Sequence, residues 1–414
     1  MYQSFIILLA LATLLTFINY RYLKLQLTIG LMILGIGVSI IMIGIRHFYP
    51  DTFALLPNVV DKIDFENFLM NGILSFLLFA GSVHINIKNL NRERIPVFVF
   101  AVLGTIISTI IIGTLSYYAF GLIGLNIPIL YCMLFGALIS PTDPIAVLAI
   151  FKSYNVRKDI SSTIEGESLF NDGIGIVIFI TILHLIKGGS ESFSYGETAI
   201  LFMQEAVGGT AFGLLIGWVS VLFLKNLKHD AKSAVMATIV VATGGYALAN
   251  YMDISGALAM VSAGLVIGNW TNTKALKDTK TLLDSFWEVI DTVFNSSLFV
   301  LIGMMVIIIV DPSHMNFTAA IIGIVIVLFG RFVSVLLPAI IVYKNNSKTH
   351  MENLKIVTIF TWSGLRGALA FALALSIDEA YNKEFFVFLT YCVVAFSIIV
   401  QGLTIPRVIK ALKI

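Results

Sequence analysis

Apolar residues run in long stretches along this chain, separated by short polar breaks. A helix needs about 20 mostly apolar residues to cross the hydrocarbon of a bilayer. Thirteen such runs can be placed, near 3–20, 26–45, 67–85, 96–120, 127–151, 161–186, 198–224, 233–250, 254–270, 283–310, 316–343, 356–377 and 385–406. The pattern predicts an all-α polytopic membrane protein. The first run holds Ala10-Leu11-Ala12, which resembles a signal-cleavage site, but no basic stretch precedes it and the apolar run continues to Tyr20. It is expected to be a retained helix.

The polar breaks orient the spans. Of the 26 Lys and Arg, twenty fall in one set of alternate loops and the C-terminal tail, from Arg21 and Lys24 through Arg92, Arg94, Arg157 and Lys158 to Lys413. Only Arg46, Lys62, Lys187 and Lys383 fall in the other set. Basic loops face the cytoplasm, and one missed helix would scramble so clean a division. The expected protein is multi-pass in the cytoplasmic (inner) membrane, with its N-terminus outside and its C-terminus cytoplasmic. No loop is long enough to hold a soluble domain. The longest outer loop, 46–66, runs into an amphipathic stretch, Val59 to Phe68, expected to lie at the interface.

Composition sharpens the class. Hydrophobic residues make up 58% of the 414 and charged residues 12%, about half the roughly 25% of soluble domains; mean hydropathy is +0.96. An ordinary soluble enzyme and a disordered chain are both excluded. A net charge of +2 gives no surface for nucleic acid. Cys132 and Cys392 lie inside apolar runs, so neither a disulfide framework nor a thiolate metal site is expected. The six histidines are scattered, so no metal cluster is expected either, and no cofactor.

The informative residues are the charges inside the spans. Two cations remain after the loops are counted, Arg331 and Arg366, with the acids Asp143, Glu165, Glu167, Asp172, Glu205, Asp284, Glu288 and Asp291. An ionised side chain at a helix centre costs about 2.5–3.5 kcal/mol on insertion scales, so such residues mark ion pairs or ion pathways. Asp143 stands in Ser140-Pro141-Thr142-Asp143-Pro144 in the fifth run. Two prolines remove backbone donors and disfavour helix before them, so the span should be broken there, its carbonyls near Thr142 freed into a protein-lined cavity. The sixth run carries Glu165-Gly166-Glu167-Ser168-Leu169-Phe170-Asn171-Asp172. Ser168 and Asp172 share one helix face, and Glu167 and Asn171 another. Their hydroxyl, carboxylate and amide oxygens suit a hard cation, and with Asp143 and the freed carbonyls they form a candidate Na+ site.

Arg331, mid-span in Phe329-Gly330-Arg331-Phe332, cannot shed its charge and needs a carboxylate; Glu167 is the expected partner, locking Asn171 and leaving Asp172 free to exchange ions. The twelfth run holds Trp362-Ser363-Gly364-Leu365-Arg366-Gly367-Ala368, a second interruption. With spans 1–6 and 8–13 taken as two halves, both interruptions fall in the fifth helix of their half, the pattern of an inverted-repeat transporter. The predicted organisation is one membrane transporter domain over 1–414: a first repeat at 1–190, a linking helix at 191–230 and a second repeat at 231–414. Two broken helices would cross at the midplane, with Arg366 balancing exposed carbonyl ends. The row Asp284, Glu288, Asp291 and Asn295 is either a cytoplasmic funnel for cations or a solvated helix end. Glu205 is expected at the interface.

Three strings, Ser140-Pro141-Thr142-Asp143-Pro144, Glu165 to Asp172, and Gly364-Leu365-Arg366-Gly367-Ala368, together resemble the monovalent cation:proton antiporter family of NhaP/NHE type over essentially the whole chain. The resemblance implies a cation held by the Thr142 carbonyl, Asp143, Ser168 and Asp172. It implies that Glu167 pairs with Asn171 and Arg331. It further implies a core domain and a dimerisation domain, a homodimer and an elevator-like motion. Some members carry an acid in the third span; here Phe79-Ala80-Gly81-Ser82-Val83-His84 has none, which turns attention to water or Ser82. The chain stops at Ile414 without the long tail of animal exchangers, so a prokaryotic source is expected.

The expected mechanism is competition at one carboxylate. Burial disfavours the charged form of Asp172, and either a proton or a cation relieves that cost. An Asn-Asp pair offers one exchanging group, in keeping with electroneutral 1:1 exchange of Na+ or Li+ for H+, the ratio that the resemblance associates with it. K+/H+ exchange is the alternative among transporters. A cation channel lacks a Thr-Val-Gly-Tyr-Gly filter here. An intramembrane enzyme is not expected: there is no His-Glu-x-x-His, no phosphate-binding Gly-x-x-x-x-Gly-Lys-Ser/Thr and no Gly-x-Asp catalytic dyad. The expected partners are monovalent cations, protons and the bilayer.

Overall fold

The structure is a computed structural model describing residues 2–48, 72–188, 195–227, 230–271, 277–306, 316–343 and 350–414. The amphipathic stretch Val59–Phe68 lies outside the described residues. Sixteen helices carry the path: α1 Phe5–Leu23, α2 Leu27–Phe48, α3 Leu74–Val83, α4 Ile87–Arg92, α5 Arg94–Leu122, α6 Ile129–Ile139, α7 Ile145–Ser153, α8 Lys158–Gly188, α9 Thr198–Asn226, α10 Ala231–Tyr251, α11 Gly256–Trp270, α12 Lys277–Met304, α13 Phe317–Tyr343, α14 His350–Trp362, α15 Ala368–Leu375 and α16 Lys383–Leu412. Among the described residues there is no strand, and nine helices are long and apolar enough to cross a membrane. Three more are apolar but shorter, α3, α6 and α11.

Counting α6 with α7 and α14 with α15 as interrupted spans gives the thirteen crossings that the run lengths predict. The interruptions fall where the prolines and glycines put them: helix stops at Ile139 and resumes at Ile145, then stops at Trp362 and resumes at Ala368. The short α4 is not visible as an apolar run; Asn86 starts it, its side chain accepting from the Lys88 amide at 2.9 Å. Large exposed side chains on the outer helix faces are apolar, among them Ile7, Leu14, Trp218, Val240 and Ile321. That is the surface of a chain solvated by hydrocarbon, where every backbone polar group must be met internally.

The helices pack as two groups. One comprises α1–α3 and α9–α12, with α9 against α11, α2 against α12 and α3 against α11. The other comprises α5–α8 and α13–α16, centred on α5 against α6 and α13. Without a hydrophobic drive between helices in lipid, close backbone approach supplies the packing. In α9, Gly213 lies directly on the Ala259 backbone of α11, where a Cβ would collide with the carbonyl. In the same group Trp287 is fully buried, its ring tilted against Phe79 at 4.7 Å between centroids and its indole N–H donating to the Thr238 hydroxyl at 3.1 Å.

Candidate cation-binding site

The two interruptions meet. The Asp143 amide donates to the Leu365 carbonyl at 2.7 Å, a direct backbone bond between the broken spans. A helix end leaves its last carbonyls unsatisfied and carries the negative end of the helix dipole. Arg366 answers this at the end of α6: its Nη1 donates to the Ser140 and Pro141 carbonyls at 2.5 and 3.1 Å. The residue is only 2% exposed, so it does not snorkel to a surface. Its own amide donates to Ser397 Oγ at 3.0 Å; the Ser397 hydroxyl donates to Gln401 Oε1 at 2.7 Å, and Gln401 Nε2 donates to the Trp362 carbonyl at 3.4 Å. A π-helical turn over Ser397–Gln401 in α16 therefore pins the second interruption. Sequence reasoning missed this pair; two polar residues four apart in an otherwise apolar span are the signal that could have found it.

A cavity of about 350 Å³ opens at the crossing. Thr142, Asp143, Ser168 and Asp172 all line it. The Ser168 hydroxyl donates to the Thr142 carbonyl, so these two oxygens already converge. Asn171 clamps Thr142 from the other side: its Nδ2 donates to Thr142 Oγ1 at 2.9 Å and its Oδ1 accepts from the Thr142 amide at 3.4 Å. Asp143 Oδ1 accepts from the Ile145 amide at 3.0 Å, capping the start of α7. By contrast, among the described residues no donor bonds to the Asp172 carboxylate. Glu165, Asp291 and Asn295 face the same cavity, as do Gly81 and His84 of the opposite helix group.

Arg331 forks onto Glu167, Nη1 to Oε1 at 2.5 Å and Nη2 to Oε2 at 3.2 Å, and its Nε and Nη2 also donate to the Phe360 carbonyl at 3.3 and 3.1 Å. Phe360 lies in the last turn of α14, so each buried arginine caps the freed end of one interrupted span. Asn171 departs from expectation. It bonds Thr142 rather than Glu167, because the non-helical backbone there presents both a hydroxyl and a free amide to the Asn171 side chain. Ser82 is also no ligand: it is buried outside the cavity, donating to the Phe79 carbonyl of its own helix at 2.8 Å and to Met260 at 3.4 Å. The acidic row divides. Asp291, bonded by Asn295 Nδ2 at 3.0 Å, reaches the cavity. Asp284 does not line it and instead lies 3.2 Å from Lys280 Nζ and 3.8 Å from His84 Nδ1, while Glu288 is exposed. Glu205 is 8% exposed, more enclosed than an interfacial residue.

This arrangement offers carboxylate, carbonyl and hydroxyl oxygens converging in one cavity, the donor set of a hard monovalent cation. Among the described residues no group of three His, Cys, Asp or Glu could hold a metal ion of the resident kind. The cavity wall is shared between the two helix groups.

Residues 6–411 match the sequence family described as sodium/hydrogen exchanger, transmembrane. The chain is 40% identical over 404 residues to the Na(+)/H(+) antiporter NhaP of Pseudomonas aeruginosa, covering 97% of this chain and 94% of that one. It is 32% identical over 406 residues to the Na(+)/H(+) antiporter NhaH of Halobacillus aidingensis, covering 92% and 96%. Its fold resembles the solved structure of the sodium proton antiporter MjNhaP1 from Methanocaldococcus jannaschii, with a TM-score of 0.78 over 99% of this chain and 98% of that one, at 22% identity.

Proposed function

Since this chain belongs to the sodium/hydrogen exchanger family, we propose that it is a secondary antiporter exchanging Na+, or Li+, for H+ across the cytoplasmic membrane. The observation that carries the reading is the Asp172 carboxylate, which faces the cavity beside Asp143, Ser168 and Thr142 and among the described residues has no donor of its own. A carboxylate without a partner away from bulk water must be neutralised by what the cavity holds, and a proton and a cation are alternative ways to do so. Asp143 acts differently, because its bond to the start of α7 keeps it in place while the ion at Asp172 changes. Loading a cation turns the Thr142 carbonyl and the Ser168 hydroxyl oxygen toward it, so the Ser168 proton must leave its present acceptor. With Asn171 where a second acid would stand, one charge is exchanged per cycle, and transport is electroneutral, 1:1. The family relationship further supports a homodimer whose two helix groups are a core and a dimerisation domain, with repeats at 1–190 and 231–414 joined by 191–230. Basic-loop placement supports an N-terminus outside and a C-terminus in the cytoplasm.

The test is an internal pH dye in proteoliposomes, with Na+, Li+ or K+ added outside. Proton movement with Na+ or Li+ is expected, unchanged when a membrane voltage is imposed. A response to K+ alone would make the protein a K+/H+ exchanger, and no proton movement with any cation would overturn antiport.

Two variants probe the cavity wall. A Cβ at Gly367 would lie 2.5 Å from both Cβ and Oδ2 of Asp143. Overpacking of this kind typically costs about 1–3 kcal/mol, so Gly367→Ala is expected to slow exchange about tenfold with helix content unchanged by circular dichroism. Asp291→Asn removes a charge that interacts with Asp143 from the opposite helix group. The expected result is a rise of about fivefold in apparent KM for Na+ at fixed pH with maximal rate retained, since one nearby charge is worth about 1 kcal/mol at effective dielectric constants near 80 and more below that.

A further inference from the structure

A second cavity, of about 1100 Å³, lies at the end of the molecule marked by the basic loops, away from the cation site. Its walls come from four places: the α4–α5 junction, the first turns of α8, the last turn of α13 and Ile356 of α14. Arg92, Arg94, Arg157 and Lys158 line it, against the acids Glu93 and Asp159. Arg157 is engaged, its Nε and Nη2 donating to Asp159 at 3.1 and 2.5 Å. Among the described residues Arg92, Arg94 and Lys158 have no ion-pair partner.

The surroundings decide what such a pocket suits. Ile95 and Phe98, in the first turns of α5, are 63% and 67% exposed, and Ile340 and Ile341 near the end of α13 are exposed as well. Both helices meet the pocket at one end, and these exposed apolar side chains lie within a turn in sequence of residues that line it. Basic pockets at the cytoplasmic ends of transmembrane helices suit anionic head groups. An inorganic anion would use the cations and leave the apolar track unused, whereas a phospholipid uses both.

We propose that this pocket binds the phosphate head group of an anionic phospholipid, with Arg92, Arg94 and Lys158 on the phosphate and the acyl chains along Ile95, Phe98, Ile340 and Ile341. The bound lipid ties the α4–α5 junction, which connects the two helix groups, to α8 and α13, the helices that carry Glu167, Ser168, Asp172 and Arg331. This assignment is independent of which cation the protein carries.

The experiment is thermal melting of the full-length detergent-purified protein with added phosphatidylglycerol, phosphatidylcholine or inorganic phosphate. Phosphatidylglycerol is expected to raise the melting temperature and the other two to leave it in place. Removing a cation near a membrane surface weakens binding of anionic lipid about fivefold. Arg92→Gln, Arg94→Gln and Lys158→Gln together should therefore abolish the shift, while Lys225→Gln, Lys232→Gln and Lys413→Gln together should keep it. The charge-conserving set Arg92→Lys, Arg94→Lys and Lys158→Arg should also retain it, which separates lost binding from damaged folding. An undiminished shift in the first triple variant would overturn the assignment. So would an equal shift from phosphatidylcholine or from inorganic phosphate, the last showing an anion site with no lipid specificity.

Discussion

Asp172→Asn is expected to remove Na+-dependent proton flux from proteoliposomes while the protein still folds and melts near the wild-type temperature. The substitution keeps the size of the side chain and deletes its charge. Breaking a buried charge pair costs about 3–5 kcal/mol, and each 1.4 kcal/mol is about tenfold in affinity, so Na+ binding should weaken by about two to three and a half orders of magnitude. Proton carriage is lost outright, because an amide does not titrate in this range. Among the described residues no group is bonded to the Asp172 carboxylate, so its removal disturbs the surrounding network little, and that is why folding should survive. Flux that persists in this variant would take the exchange away from Asp172. In the wild-type protein the same competition sets the pH dependence. Where the empty site is protonated, Na+ must displace one proton, so apparent KM for Na+ falls about tenfold for each unit rise in pH; it becomes flat once the empty site is deprotonated. A steeper fall would mean that more than one proton leaves per cation.

The Asp172 side chain was legible because its neighbours in sequence are its neighbours in space: Ser168 and Asp172 are one helical turn apart and both reach the cavity. Both interruptions were legible for a similar reason, since Pro141, Pro144, Gly364 and Gly367 act on the backbone where they stand. What spacing within one helix does not contain is the register between helices. Asn171 shares a face with Glu167, but the contact that wins is with Thr142, a residue 29 positions away in a segment that is not helical. Ser82 had the right chemistry for a ligand, yet the packing of α3 on α11 turns it to the Phe79 and Met260 carbonyls. The acidic row on α12 divides because the cavity wall takes in Asp291 and Asn295 but not Asp284 or Glu288. Ser397 and Gln401 escaped notice because nothing interrupts their span at the level of apolar run length.

Glu167→Gln is expected to be the most damaging single change to the fold, and more damaging than Arg331→Gln, although the two residues form one ion pair. Both are buried, at 1% and 6% exposure, and removing one partner of a buried pair typically costs about 3–5 kcal/mol because the other charge is left uncompensated. The asymmetry comes from Arg366, at which the charges of both Arg331 and Glu167 are felt. Among the described residues the Arg366 guanidinium has only the Ser140 and Pro141 carbonyls as hydrogen-bond acceptors. Without Glu167, two guanidiniums that cannot lose their charge face each other in the core. Without Arg331, Glu167 still has Arg366 as a counter-charge, although the Phe360 carbonyl keeps only the long bond from the Ser363 hydroxyl at 3.5 Å among the described residues. Thermal melting of the four proteins of a double-mutant cycle measures this. The expected order is wild type highest, then Arg331→Gln, then Glu167→Gln, with the double variant well above the sum of the two single losses because it removes one charge of each sign. Equal losses for the two single variants would show that Arg366 does not depend on Glu167, and a strictly additive double variant would show that the pair is not coupled at all.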